Sequence, residues 1–330
     1  MSSVLRPVFE GFRLSTIARR ALRGPLRPSW DVPYEAFAAM MRSSGQKIWR
    51  LPLPVQRKML VTPRRRPLPG IVHYEPARLG GVRSEWVLPE LSGAMSSAGD
   101  APTLLYMHGG GYALGSIATH RPFVARLALA TKIRAVSIDY RRSPEHPFPA
   151  AADDAYAAYE ALTRQVDPAK IVLAGESAGG GLVMATLLRA KENGLPLPAA
   201  ATVISPWVDF TLRGPSLQSN RRFDYVPRET LEAYVAAYAT TPEAITHRYV
   251  TSVDADLHGL PPLFVLAGEA ETLLDDALLL ARRAEAAGVP TTLHSGADMI
   301  HAWPLFAALF PRCDDAIMRI ADFSRRHLPR

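Results

Sequence analysis

The 330-residue chain contains a single cysteine, Cys313, so neither a disulfide framework nor a multi-cysteine metal site can be built from it. It has no apolar run near the roughly 18 residues a membrane span needs, and charges interrupt the runs it does have. None of its glycine runs continues as G-K-[ST] or as G-x-G-x-x-G, which removes a nucleotide-phosphate cradle. No internal repeat or low-complexity tract is visible. Met1 to Trp30 carries arginines throughout and no unbroken apolar stretch ending in small residues. Arg19-Arg20 likewise lacks the hydrophobic run of a twin-arginine signal. Cytoplasmic residence is the expectation. Hydrophobic residues at 48% and charged residues at 21% lie near globular averages, which excludes a disordered, collagenous or coiled-coil chain.

Acidic residues are scarce in one region only. Residues 1–70 hold 14 basic and 3 acidic side chains, whereas residues 71–330 hold 24 and 28, so the formal +7 belongs to the N-terminal segment. No zinc-finger, RRM or helix-turn-helix pattern accompanies it, and no nucleic-acid partner is expected. Leu14, Ile17, Ala18, Ala21 and Leu22 recur at helical spacing with Arg13, Arg19, Arg20 and Arg23 between them, which predicts an amphipathic helix with its basic face outward. Tyr34, Phe37, Ala38 and Met41 repeat the spacing in a second helix, and Pro52, Pro54, Pro63, Pro67 and Pro69 break the chain into a connector. A solvated face of a covering lobe is the plain reading, and docking on an anionic membrane surface or on a partner is the alternative.

From residue 71 the pattern changes. Ile71–Tyr74 and Arg83–Leu88 read as strands around Gly80-Gly81, and the polar loop Ser92–Pro102 follows. Short apolar strands then alternate with helices. Strands are predicted at Thr103–Met107, Arg134–Ile138, Ile171–Ala174, Ala201–Ile204, Leu263–Ala267 and Thr291–His294. Helices are predicted near Pro122–Ala130, Ala151–Leu162, Ser177–Asn193 and Asp275–Ala287. Strict alternation implies an α/β fold with a mostly parallel sheet covered on both faces. It is interrupted once, between Trp207 and Leu260, where Tyr225–Tyr238 looks helical; this insertion is expected to join the N-terminal helices as a lid. The division expected is 1–60 and 208–250 for the cap, 61–207 and 251–330 for the catalytic body.

Gly175-Glu176-Ser177-Ala178-Gly179 stands between a strand and a helix, the setting of a nucleophile elbow, where neighbouring Cβ atoms would clash. The pentapeptide alone is a weak signal and the strand-turn-helix context gives it weight. His108-Gly109-Gly110-Gly111-Tyr112 follows another strand and is far more specific. Its bare backbone N–H groups can converge on a tetrahedral oxyanion, with the Ala178 amide as companion donor and Gly109 shaping the turn. A serine nucleophile needs a histidine base and a carboxylate to orient it, in the chain order Ser, acid, His. Of the nine histidines, His294, His301 and His327 lie beyond Leu263–Ala267. His294 belongs to an apolar strand and His327 to a basic tail, which favours His301 on the loop before Trp303. Glu269, Glu271, Asp275 and Asp276 compete for the acid. The two aspartates begin a helix as N-cap candidates, which leaves the glutamates.

These motifs, with the run Tyr140–Ala150 and with Ser205-Pro206-Trp207-Val208-Asp209, resemble the bacterial hormone-sensitive-lipase branch of the α/β-hydrolases over about residues 70–330. The resemblance maps the family's Asp-x-Leu-x-Asp element onto Glu271-Thr272-Leu273-Leu274-Asp275, so it implies Glu271 as the acid, with Glu269 and Asp275 as fallbacks. It implies a serine carboxylesterase for short to medium acyl esters, without cofactor or metal. A homodimer through a sheet edge is a further expectation. Tyr112, Trp207 and Asp209 are candidates for the substrate pocket, and Tyr140–Ala150 reads as a structural turn. A non-catalytic small-molecule binder on the same fold and an amide or lactone hydrolase with the same triad are the alternatives.

Overall fold

A computed structural model describes residues 5–60, 72–90 and 96–329; Pro63, Pro67, Pro69, Ile71 and the start of the Ser92–Pro102 loop lie outside the described residues. In chain order the elements are helices α1 (Leu5–Arg23), α2 (Val32–Ile48) and α3 (Leu53–Leu60), then strands β1 (Val72–Leu79), β2 (Val82–Pro89) and β3 (Thr103–Met107). They continue with α4 (Ile117–Thr131), β4 (Arg134–Ile138), α5 (Ala150–Thr163), β5 (Ile171–Glu176), α6 (Ala178–Glu192) and β6 (Ala200–Ile204). The insertion supplies α7 (Ser216–Ser219), α8 (Arg228–Tyr238) and α9 (Pro242–Thr246). The chain closes with β7 (Leu263–Gly268), α10 (Leu274–Ala286), β8 (Thr291–Gly296) and α11 (Arg312–His327).

The eight strands form one sheet in the order β1-β2-β4-β3-β5-β6-β7-β8. β1 and β2 run antiparallel and all pairs from β4 onward are parallel. Strands β3 to β7 are buried at every position, as sheet covered on both faces requires. Helices α5, α6 and α10 pack on one face, and α2, α4 and α11 on the other. The strand order reverses at β3, which lies between β4 and β5. Ligands of open α/β sheets bind beyond the carboxyl ends of strands at such a switch. The H-G-G-G run leaves β3 and the serine motif leaves β5, so the two motifs meet there.

Helix α4 begins at Ile117 and not near Pro122, because Ser116 and Thr119 form a reciprocal capping box upstream. Helix α8 begins at Arg228, after Pro227 in extended backbone, and not at Tyr225. Trp303 opens only a single 3-10 turn, Trp303–Phe306, and the last helix waits until Arg312.

Helix α1 is turned opposite to expectation. Arg19 and Arg20 point inward onto Glu35 of α2, a carboxylate 1% exposed, with Arg20 Nη1 at 3.0 Å. The apolar stripe faces out, with Leu14 58%, Ile17 41% and Leu22 86% exposed. The buried carboxylate decides this. An unpaired charge at Glu35 would cost more than leaving a few aliphatic side chains in water.

Helix α3 is fastened to the body by Arg57. Its Nε donates to Ala113 O (2.8 Å) and its Nη2 to Ser143 O (2.8 Å), while Nη1 and Nη2 hold the Glu145 carboxylate at 2.7 and 2.8 Å. Arg57→Ala therefore lowers stability by about 1–2 kcal/mol, nearly all from the two carbonyl bonds, since the exposed ion pair adds little. Denaturant titration checks this, and an unchanged midpoint would show α3 to be held otherwise. The Arg57 guanidinium holds the Glu145 carboxyl down to about 2. The carboxylate's small share is thus complete above the ordinary glutamate range and fades as pH falls toward that value.

Candidate active site

Ser177 follows β5 directly at φ +55°, a left-handed conformation that side chains rarely adopt. It is the N-cap of α6, which starts at Ala178, yet its hydroxyl makes no capping bond. Its residue is partly exposed while its immediate neighbours are buried. Two backbone bonds hold the strained turn: Ser177 N donates to Ile204 O (2.9 Å), and Trp207 N donates to Ser177 O (3.0 Å). The turn also needs Gly179, because a Cβ there would lie 2.0 Å from Met107 O. An unused hydroxyl on a strained turn at a helix N-terminus is the arrangement of an activated nucleophile.

The glycine loop packs against the elbow, since a Cβ on Gly109 would lie 2.7 Å from Glu176 O. Gly110 and Gly111 have φ of +114° and +60°, and a Cβ on Gly111 would lie 2.3 Å from the Tyr234 ring. Among the described residues, the Gly110, Gly111 and Ala178 amides donate to no protein group, whereas Gly109 N donates to the Glu176 carboxylate. That carboxylate also accepts from Tyr106 Oη and holds His120 Nε2 at 2.7 Å. The His120 ring in turn stacks 5.3 Å from His108, which stacks 4.3 Å from Tyr140. Burial works against a charged His120, but the charge and hydrogen bond of Glu176 outweigh it and raise its affinity for a proton. Burial and the neighbouring His120 charge keep His108 neutral. Glu176, beside Ser177, thus fixes Gly109 and with it the start of the glycine loop. His120→Ala frees that carboxylate and should reduce kcat about 10- to 100-fold with KM little changed, less than deletion of a whole oxyanion donor. Steady-state kinetics check it; a loss confined to KM would mean that the pair shapes binding and not the donors.

His301 lies on the loop after β8, 4% exposed, and Glu271 lies just after β7, fully buried. One hydroxyl ties the two loops together. Ser205, at φ +46° beyond β6, donates from Oγ to Glu271 Oε2 (2.6 Å) and accepts from Ala302 N (2.9 Å). Glu271 Oε2 also accepts from Gly268 N at 2.9 Å. Its Oε1 and His301 Nδ1 are both buried without a partner. No hydrogen bond or ion pair joins Glu271 to His301, or Ser177 to His301, in this structure; Ser205 links the two loops. Burial raises the Glu271 carboxyl well above its ordinary range, opposed by the Ser205 hydroxyl and the Gly268 amide. Burial lowers His301, partly offset by the Asp224 charge, and the imidazole is therefore neutral near pH 7 and able to take a proton.

Asp224 is the site residue that sequence reasoning missed. It accepts from His301 N (3.1 Å), from Thr272 N (2.8 Å) and from Thr272 Oγ1 (3.0 Å), so it clamps the loops of both Glu271 and His301. Nothing local marks it, since it lies in the insertion far from either loop. Asp275 and Asp276 are not N-caps, as α10 starts at Leu274. Asp275 accepts from Ser216 N (2.6 Å) and Asp276 from the Val208 and Asp209 amides, and burial pushes Asp276 up to about 8. Glu269 makes no side-chain bond to the histidine loop.

The pocket candidates are packed and do not line the open cavity. Tyr112 stacks 4.0 Å on Tyr238, Trp207 stacks 4.0 Å on Phe210, and both are fully buried. Asp209 accepts from Thr211 N and Oγ1 and pairs with Arg213 at 2.8 Å, a local turn brace. A cavity of about 370 Å³ opens instead between α2, α3 and α8, walled by Gln46, Trp49, Leu53, Gln56, Thr230 and Tyr234. Its inner wall, Tyr234, is the ring that covers Gly111.

A strained serine elbow beside a glycine loop at the switch point of this sheet defines an α/β-hydrolase, and the family model described as alpha/beta hydrolase fold matches residues 104–305. Relatives include an acetyl-hydrolase of Streptomyces hygroscopicus, 38% identical over 78% of this chain and 84% of its own length. An esterase of Acinetobacter venetianus is 34% identical over 77% and 82%. A solved esterase of the bacterial hormone-sensitive lipase family superposes with a TM-score of 0.80 at 36% identity, covering 88% of this chain and 98% of that one. The chain belongs to the bacterial hormone-sensitive-lipase family of carboxylic ester hydrolases.

Proposed function

We propose that the protein is a serine carboxylesterase for short- to medium-chain esters, working through Ser177, His301 and Glu271. Ser177 Oγ attacks the ester carbonyl while His301 takes its proton and returns it to the leaving alcohol. Glu271 orients the imidazole and stabilises the imidazolium, and the Gly110, Gly111 and Ala178 amides receive the oxyanion. Water then attacks the acyl-enzyme by the same route. The Ser205 hydroxyl carries this reading: it holds one oxygen of Glu271 and the amide after His301, behind an elbow whose serine hydroxyl is unused.

Residues 1–60 and 208–250 act as the cap, and the cavity they enclose limits acyl length. Neither Ser177 nor His301 lines that cavity, and Tyr234, whose ring covers Gly111, is its link to the glycine loop. A fluorophosphonate probe should label the protein once, with peptide mapping placing the adduct on Ser177. A p-nitrophenyl series should then show kcat/KM falling as the acyl chain outgrows the cavity. Absence of labelling in folded protein would favour a non-catalytic binder, and labelling with amide or lactone turnover exceeding that of esters would redirect the substrate.

A further inference from the structure

Helix α1 leaves its apolar side in water. Seven of the ten large hydrophobic residues that stand exposed among the described residues fall between positions 8 and 59, including Val8, Leu14, Ile17 and Leu22 of α1. At 100° per residue, Leu14, Ala18, Ala21 and Ile17 form the middle of that side, with Leu22 and Val8 toward one flank. Arg6 and Arg13 border the other flank, and Arg23 ends the helix. Glu10, the only carboxylate on α1, stands on the same side between Ala21 and Ile17 and is held by Arg13 Nε at 2.8 Å. That pair carries no net charge, and Arg6 and Arg23 are the helix's outer cations outside it. The opposite side is anchored: Arg19 and Arg20 bind Glu35, and Arg20 Nη1 donates to Trp30 O at 2.7 Å.

We propose that the outward face of α1 docks on an anionic lipid surface, with the aliphatic stripe in the headgroup region and the bordering arginines on lipid phosphates. Charge selects this occupant over a second copy of the chain. Two α1 faces packed together would bring the arginine borders of both copies close with no free carboxylate between them, whereas an anionic bilayer neutralises them. Area points the same way. Nineteen helical residues span about 28 Å, so the face offers about 300 Å² per copy, well short of the roughly 800 Å² per partner of a standard protein interface. A strip of that size is ample for an interfacial helix, whose binding combines apolar burial with attraction to anionic lipid. The segment after α1 also grips the histidine loop, since Arg27 Nε reaches Asp298 Oδ1 at 2.6 Å and Ser29 N reaches Oδ2 at 3.0 Å.

The test is co-sedimentation of the full chain with phosphatidylcholine vesicles, with and without about one third phosphatidylglycerol. The wild type should pellet with the anionic vesicles and much less with the neutral ones. Leu14→Glu/Leu22→Glu should lower the bound fraction's apparent partition about tenfold or more, while keeping the melting temperature and the turnover of a soluble ester. Arg6→Gln/Arg13→Gln/Arg23→Gln should abolish the preference for anionic lipid. Wild-type protein that stays in the supernatant with both vesicles, or a glutamate variant that binds as wild type does, overturns the proposal. Light scattering that finds a wild-type dimer broken by the glutamates would assign the stripe to self-association and overturn it equally. None of these readouts depends on the catalytic assignment.

Discussion

Ser177→Ala lowers kcat for a short p-nitrophenyl ester by about 10⁴- to 10⁶-fold, the range seen when a triad nucleophile is deleted, and abolishes fluorophosphonate labelling. The protein remains folded. The hydroxyl caps no helix and accepts no bond, and the side chain is partly exposed, so its removal opens no cavity and orphans no partner. The stability change should stay within about 0.5 kcal/mol, as for other substitutions free of such effects. Alanine also adopts the left-handed φ of +55° no less readily than serine, which leaves the glycine loop in place. Single-turnover kinetics with a thermal melt therefore separate chemistry from folding. Wild-type turnover by a folded alanine variant would remove Ser177 from the mechanism and with it the whole triad.

Glu271→Gln should cost about 10³- to 10⁴-fold in kcat, whereas Asp224→Asn should cost only about tenfold and lower the melting temperature. Both carboxylates are buried near His301, so the difference must come from which oxygens are free. Every bond Asp224 makes holds backbone or a threonine, and its removal loosens two loops. Glu271 keeps Oε1 free of any partner, as His301 keeps Nδ1, and its amide isostere would no longer carry the charge that the proposed imidazolium needs. The pH profile offers a second reading of the same chemistry. The base works only when neutral, so kcat/KM should rise with pH, and because burial lowers His301 the rising limb should lie below the usual imidazole range. If Asp224→Asn proved as damaging to kcat as Glu271→Gln with an unchanged melting temperature, the acid would be Asp224.

The central body was readable because its strands are continuous apolar runs closed by turn residues, and Thr103–Met107 and Arg134–Ile138 appear with the bounds that the pattern implies. The glycine loop and elbow were readable because their backbone conformations demand glycine, a constraint written at single positions. Other features depend on partners distant in the chain. Periodicity gives α1 two faces but cannot say which one turns inward; the burial of Glu35 on another helix decides it. Asp224 looks like any loop aspartate until the fold brings Thr272 and His301 to it. Ser205 stood in a recognisable motif, yet its role appears only when Glu271 and Ala302 reach it from two further strands.

The proposed triad and the serine that braces it come from the ends of separate strands, with Ser177 leaving β5, Ser205 leaving β6, Glu271 leaving β7 and His301 following β8. No contiguous fragment of the chain holds them all, and the pairings between them are of high sequence separation, the slow-forming kind. Hydrolysis is consequently a property of the completed sheet: a variant that retains turnover has kept four neighbouring strands in register, and a partly folded chain is silent however much helix it contains.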